Sequence, residues 1–134
     1  MSLRPESLRG AGEGTQVAGQ VDYRLARNSI VNQFHKGRLS RLDICDAHPD
    51  LLRAASNVGD ETREECPICE EVNVRLVSYV FGNRLPPSGV CVTSRQEMSR
   101  LARTSKQMTC YVVEVCPNCS WNHLARSFAI SARP

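Results

Sequence analysis

The stretch CPNCSWNHLARSF, residues 116–128, contains two cysteines separated by two residues, with a proline between them. The same pattern occurs upstream as CPIC, residues 66–69. Two residues between cysteines allow a tight turn to direct both sulfurs at one ion, and proline restricts the backbone of such a turn. Because Zn²⁺ prefers four thiolates in a tetrahedral arrangement, the two pairs predict one structural zinc site. Its ligands are Cys66, Cys69, Cys116 and Cys119.

Two other uses of the cysteine pairs are a redox-active dithiol and an iron–sulfur cluster. A thioredoxin-like pair normally stands at the N-terminus of a helix, whereas both pairs here border predicted strands. An iron–sulfur cluster requires the same four thiolates and remains an alternative. A zinc ion with four thiolates has no open position for water, so we expect a structural ion and a protein that is not an enzyme.

The residues around the pairs predict a small antiparallel sheet. VNVRLVSYVF, residues 72–81, and MTCYVVEV, residues 108–115, are rich in residues that favour strands. Large and small side chains alternate over residues 124–131 and predict a third strand. Between the first two strands, Thr93 with Gln96, or Ser94 with Glu97, predicts the start of a helix near 94–105.

The N-terminal half is predicted to be helical after a glycine-rich tail. Residues 1–19 hold four of the eight glycines and predict a flexible tail. Residues 20–59 predict about three helices, at 21–35, 41–47 and 49–59, of which the second begins at the capping pair Ser40 and Asp43. The predicted fold is α+β, with this helical half followed by a zinc-ribbon-like domain over residues 60–134 that contains the inserted helix.

Length and composition indicate one domain in a reducing compartment. The chain has 134 residues and seven cysteines, an odd number of which four are used by the predicted metal site. No run approaches the roughly 18 apolar residues of a membrane span, and the N-terminal residues lack the apolar block of a secretory signal. We therefore expect a cytoplasmic protein with no membrane partner and no small-molecule substrate.

Charge is unevenly distributed along the chain. Residues 43–74 carry nine acidic and two basic side chains, whereas residues 75–134 carry eight basic and two acidic ones. The basic segment favours a binding protein that contacts nucleic acid or the transcription machinery, for example DNA or RNA polymerase. Short helices near 40–58 are compatible with a helix-turn-helix. Because the acidic flank of these helices repels phosphate, a protein–protein adaptor is the alternative, and a thiol-redox protein is the third.

The motif CDAH, from Cys45 to His48, is a candidate half of a second metal site. The soft ligands available to complete it are Cys91 and Cys110, and Cys110 lies within a predicted strand, where a small apolar residue serves equally well. The preferred interpretation is a buried cysteine and a histidine at a helix start.

His123, in SWNH, is the best candidate for a catalytic residue. The nearest thiols are assigned to the metal, so a Cys–His nucleophilic pair is not expected. The preferred roles are structural: Trp121 shields the thiolates, Asn122 bonds to the turn, and His123 caps it or is exposed.

Several longer strings resemble a family of small actinobacterial proteins of unknown function, over roughly residues 20–130. The resemblance implies a cytoplasmic, zinc-ribbon-like protein of actinobacterial origin, and it supplies no catalytic residue. The strings are VDYRLARNSIV, CDAHPDLLRAASNVG, CPIC, LVSYVFGNRL, CVTSR and YVVEVCPNCSWNHLARSF.

Overall fold

A computed structural model describes residues 15–132 of the chain. Six strands form one antiparallel sheet and four short helices pack on it. The strands are β1 (Thr15–Asp22), β2 (Asp60–Glu65), β3 (Asn73–Gly82), β4 (Val90–Val92), β5 (Gln107–Val115) and β6 (Asn122–Ala132). The helices are α1 (Arg24–His35), α2 (Arg41–Ile44), α3 (Pro49–Val58) and α4 (Arg95–Thr104).

The sheet has the order β1-β6-β5-β3-β2 and curls into a half-barrel. Strand β4 also pairs with β3, along residues 78–80, on the same edge that β2 occupies along residues 73–76. β5 pairs with the opposite edge of β3 from Arg75 to Gly82 and with β6 on its other side. The centre of the sheet is therefore formed by β3, β5 and β6, each of which borders a cysteine pair.

Alternating side chains of the central strands face two different packing layers. In β3, Val77 and Tyr79 pack with α3, whereas Val80 packs with α4 on the other face. The α4 layer contains the larger core, which includes Met98, Phe128 and Ile130. β-branched and aromatic residues suit this two-sided burial, which explains why these strands are predictable from composition.

The predicted helical N-terminal half is wrong. β1 begins at Thr15 and pairs with β6, so residues 15–19, part of the predicted tail, belong to the sheet; residues 1–14 lie outside the described residues. β2 adds a further strand over residues 60–65. The molecule is mostly antiparallel sheet, with helices as its cover, and the sheet is larger than the predicted zinc-ribbon-like one.

The predictions of individual helices agree better with the structure than the prediction of the fold class does. α3 begins at Pro49, and its N-cap His48 accepts a hydrogen bond from the N–H of Asp50. Ser94 accepts from the N–H of Glu97 at 3.1 Å and begins α4, as one of the two predicted capping pairs requires. α2 is shorter than predicted, with a single turn after Ser40.

Candidate metal centre

The sulfur atoms of both cysteine pairs meet at one place. The four Sγ atoms of Cys66, Cys69, Cys116 and Cys119 all lie within 4.8 Å of one another. The Sγ of Cys66 is 3.7 Å from that of Cys119, and the Sγ of Cys69 is 3.7 Å from that of Cys116. Both of these separations join one pair to the other, as expected if both pairs face a common centre.

The first cysteine pair lies in the turn between β2 and β3. The N–H of Cys66 donates to the carbonyl of Val72 at 2.8 Å, and the N–H of Glu70 donates to the carbonyl of Cys66 at 3.1 Å. Glu70 has a φ of 57°, a left-handed conformation that is uncommon for a residue with a side chain. This backbone path reverses the chain and places both sulfurs on the inner side of the turn.

The second pair repeats this geometry between β5 and β6. The N–H of Cys116 donates to the carbonyl of Trp121, and the N–H of Ser120 donates to the carbonyl of Cys116. Ser120 has a φ of 73° and occupies the same position relative to the first cysteine as Glu70 does. CPIC and CPNC, which lie far apart in the chain, thus form the same cysteine turn.

Hydrogen-bond donors surround the sulfurs. The backbone N–H of Ile68 donates to the Sγ of Cys66, and the N–H of Cys119 donates to the Sγ of Cys116, both at 3.4 Å. The side-chain amide of Asn118 lies 3.6 Å from the Sγ of Cys69 and donates to Glu71 at 2.8 Å. Donors of this kind stabilise negative charge on sulfur. Asn118 is not among the residues predicted for the site, although its place inside the CPNC motif is a usable signal.

Without a cation, the site does not favour four thiolates. Burial raises the pKa of three of the thiols, to about 11 or about 12: Cys66, Cys116 and Cys119. Burial acts in the same direction on Cys69, but the N–H of Glu71 and the amide of Asn118 outweigh it and lower the pKa of Cys69 to about 7. A bound cation would offset both the burial and the mutual repulsion of the thiolates.

The sulfur cluster is continuous with a hydrophobic core. Val31 of α1, Ile44 of α2 and Val74 of β3 pack in the same cluster as the cysteines. Trp121 is buried there with 1% of its surface exposed, in agreement with its predicted position beside the thiolates. The helices α1 and α2 therefore cover the site.

The other residues of the SWNH motif have structural contacts. Asn122 donates to the carbonyl of Ser120 at 3.3 Å, as predicted, and also to Asp46 at 3.0 Å. His123 stacks on Trp121 with ring centroids 6.0 Å apart, and its Nδ1 lies 2.7 Å from the carbonyl oxygen of Leu124. The side chain of His123, the predicted candidate for catalysis, is therefore engaged in ring packing and in a backbone contact.

The candidate second metal site is not assembled. Within residues 15–132, the cluster of four cysteines is the one group of metal-ligating side chains that lie together. Cys91 packs in the α3 layer and Cys110 is buried in the α4 layer, while His48 caps α3. Cys45 has a different neighbour: its Sγ lies 3.7 Å from the Sγ of Cys119.

Comparison with known proteins gives the family. Residues 15–134 match the family described as "Family of unknown function (DUF5318)". The chain belongs to this family. Uncharacterized proteins of Mycobacterium bovis and Mycobacterium tuberculosis are 41% identical to it over 115 residues, which cover 85% of this chain and 84% of each relative. No solved structure matches the chain.

These matches confirm the resemblance to an actinobacterial family of unknown function, and they name neither a metal nor an activity. None of the helices within residues 15–132 is long and apolar enough to cross a membrane.

A cavity of about 330 Å³ opens beside the ion pair of Arg27 and Glu114. Its lining also includes Arg24, Arg126 and Glu64. The charged side chains that line the cavity are thus of both signs.

Proposed function

We propose that the protein binds one structural zinc ion through Cys66, Cys69, Cys116 and Cys119 and acts as a binding protein rather than as an enzyme. The observation that carries this proposal is the separation of the sulfurs. A tetrahedral ion with Zn–S bonds of about 2.3 Å holds its sulfurs about 3.8 Å apart, close to the 3.7 Å between Cys66 and Cys119 and between Cys69 and Cys116.

The chemistry of this donor set supports a structural ion. Four thiolates complete a tetrahedral shell and leave no position at which water or a substrate is activated. The ion would join the turn after β2 to the turn after β5, two points separated by 47 residues along the chain. Since structural zinc sites contribute apparent binding energies of about 10–16 kcal/mol, this link would dominate the stability of a small domain.

The zinc proposal is tested by metal analysis and by metal removal. Elemental analysis of protein purified without added metal should give one zinc per chain, and iron in place of zinc would support the iron–sulfur alternative. Chelation should lower the melting temperature and expose Trp121, which is read from its fluorescence. A metal-free chain with the same melting temperature would contradict the proposal.

The partner surface that we favour is the exposed side of α4. Arg95, Arg100, Arg103 and the following Lys106 are all exposed, and Glu97 is the one acidic residue between 75 and 113. Buried Met98 and Ala102 hold the opposite side of the helix against the sheet. A rigid helix that presents cations in this way suits the phosphates of nucleic acid.

The helix-turn-helix hypothesis is not the basis of this proposal. Ala55, Leu51 and Leu52 of α3 pack against the sheet, and Arg53, the one basic residue of α3, forms an ion pair with Asp50. In α4, Arg100 pairs with Glu97 at 3.9 Å, but the helix also carries Arg95 and Arg103. α2 has only four residues. We therefore assign the contact with nucleic acid to α4 instead of α3.

Retention on heparin and on DNA columns tests the partner class. Replacement of Arg100, Arg103 and Lys106 by Glu should weaken retention, and the log–log slope of affinity against salt concentration should fall by about 0.9 for each phosphate that the variant no longer binds. The matched control replaces Lys36 and Arg38, which are exposed after α1, by Glu as well. It should leave retention nearly unchanged. Indifference of the parent protein to both columns, with one protein co-purifying, would favour the adaptor.

A further inference from the structure

We propose that Cys45 is a peroxide-sensitive partner of the metal centre, which forms a disulfide with Cys119 and thereby removes one of the four ligands. The inference rests on the proposed zinc site and adds a modification site to it. Cys45 Sγ lies 3.7 Å from Cys119 Sγ and donates its S–H toward it. It is the fifth thiol at a site that requires four.

Cys45 is positioned as a neighbour of the cluster. The four Sγ atoms that lie mutually within 4.8 Å belong to the two Cys-x-x-Cys pairs and do not include Cys45. Four sulfurs already fill a tetrahedral zinc shell. Cys45 is therefore a free thiol that lies next to one ligand, Cys119.

Backbone contacts hold Cys45 in this place. Its N–H donates to the carbonyl of Arg41 at 2.7 Å, and the N–H of Ala47 donates to the carbonyl of Ser120 at 3.1 Å. The side chain of Asp46 accepts from Asn122 at 3.0 Å. The segment that carries Cys45 is thus attached to the turn that carries Cys119, and the two sulfurs need only a short approach to bond.

Accessibility points to the same pair of sulfurs. Cys66, Cys69 and Cys116 are buried, whereas Cys45 and Cys119 are half-buried. A small oxidant such as hydrogen peroxide therefore reaches Cys119 more readily than the other three ligands. Susceptibility to oxidation follows exposure as well as thiolate character.

The reaction balances with hydrogen peroxide as the oxidant. The thiolate sulfur of Cys119 attacks one peroxide oxygen, the O–O bond breaks, and hydroxide leaves, which converts Cys119 to a sulfenic acid. The sulfur of Cys45 then attacks the sulfenic sulfur; the S–S bond forms, the S–OH bond breaks, and the Cys45 thiol proton leaves with the hydroxyl as water. The two sulfurs lose two electrons and the peroxide gains them.

The test uses the zinc-loaded full chain, and its zinc content is measured first. Hydrogen peroxide is added, zinc release is followed with a chromogenic chelator, and disulfides are mapped by mass spectrometry of unreduced peptides. Wild-type protein should release zinc together with the appearance of a peptide that links Cys45 to Cys119. A dithiol reductant with added zinc should restore the original state.

Variants distinguish this reaction from general oxidation. Cys45→Ser should bind a full equivalent of zinc but release it at least about tenfold more slowly, because no thiol is held next to the oxidised Cys119. Cys45→Ala should behave in the same way if serine perturbs folding. Cys91→Ser is the matched control, since Cys91 is also half-buried but packs in the α3 layer, and it should release zinc as the wild type does.

Three results would overturn the proposal. They are equal release rates for wild type and Cys45→Ser, disulfides confined to the Cys-x-x-Cys pairs, and an inability of Cys45→Ser to bind zinc, which would make Cys45 a ligand. If the purified chain contains no zinc, the proposed function fails, while the peptide map still decides whether Cys45 pairs with Cys119.

Discussion

Trp121 donates its indole N–H to Oε2 of Glu114 at 3.0 Å. Arg27 of α1 binds the same carboxylate through Nε at 2.8 Å and Nη2 at 3.2 Å. The side chains of Arg27 and Glu114 are 13% and 8% exposed, so the charges are paired and also hydrogen-bonded, as a buried ion pair requires. This network joins α1 to the strand that leads into Cys116 and connects the helical cover with the four-cysteine cluster.

The first prediction concerns the indole of Trp121. Trp121→Phe keeps much of the buried ring but removes one donor to a charged acceptor, which should lower the free energy of unfolding by about 1.5–3 kcal/mol. Trp121→Ala also leaves a cavity and should cost about 3–5 kcal/mol. Urea denaturation followed by circular dichroism measures both. A Trp121→Phe variant as stable as the wild type would show that ring packing, and not the hydrogen bond to Glu114, determines the stability.

The cluster of four cysteines is predictable from sequence because its signal is local. Two cysteines with two residues between them form a turn by themselves, and the requirement of zinc for four ligands predicts that Cys66 and Cys69 meet Cys116 and Cys119. β3 and β5 are predictable for a similar reason, since their β-branched and aromatic residues are buried on two faces.

The edges of the sheet are not predictable in this way. β2 has the sequence DETREE, which has low strand propensity, and mostly faces solvent; its strand conformation comes from pairing with β3. β1 likewise pairs with β6, more than 100 residues away. Such backbone pairing depends on distant partners, so the segment's own composition does not reveal it, and the predicted helical half is wrong for this reason.

Two contacts at the site also could not be predicted from local sequence motifs. Cys45 and Cys119 are separated by 74 residues, and Arg27 and Glu114 by 87. Motif spacing carries no information about such pairs. The CDAH motif therefore does not indicate that Cys45 lies beside Cys119, and nothing in the sequence near Trp121 indicates the ion pair that lies beside it.

The second prediction tests the sulfur centre itself. Cys116→Ser replaces a buried soft ligand with a hydroxyl, so zinc content should fall well below one per chain and the sheet should no longer unfold cooperatively. Elemental analysis and calorimetry measure these effects. Cys110→Ser, which changes an equally buried cysteine in the α4 layer, is the control and should keep its zinc. A folded Cys116→Ser protein with full zinc would contradict the assignment.

The third prediction concerns pH and Cys110. Burial raises the pKa of Cys110 to about 12, although a hydrogen bond with Ser78 acts in the opposite direction, and the ordinary value is 9.0. As pH rises above the ordinary value, the unfolded chain loses this proton while the folded chain keeps it, so stability falls between the two values. Below the ordinary pKa of 9.0, the protonated thiol of Cys110 makes its full contribution to the free energy of unfolding.

Comparison with Cys110→Ala isolates this effect. Cys110→Ala should be less stable at all pH values because it leaves a cavity, but it has no buried thiol that titrates at this position. Wild-type stability should therefore decline more steeply, by up to about 1.4 kcal/mol per pH unit above the unfolded pKa. Urea denaturation at a series of alkaline pH values measures the difference in slope, and parallel curves would show that the buried thiol does not contribute.

The fourth prediction uses two glycines with similar backbone conformations and different surroundings. Gly89 has a φ of +82° before β4, and a Cβ atom there would lie 2.7 Å from the ring of Phe81. Gly37 has a φ of +77° after α1, with nothing within 4 Å of such an atom. Gly37→Ala should therefore cost about 1–2 kcal/mol from backbone strain. Gly89→Ala should cost about 1–3 kcal/mol more, because the Phe81 ring must move out of its packing position. Chemical denaturation of both zinc-loaded variants measures the difference, and equal destabilisation would mean that the ring yields freely and that the β3–β4 hairpin does not depend on close contact between Gly89 and Phe81.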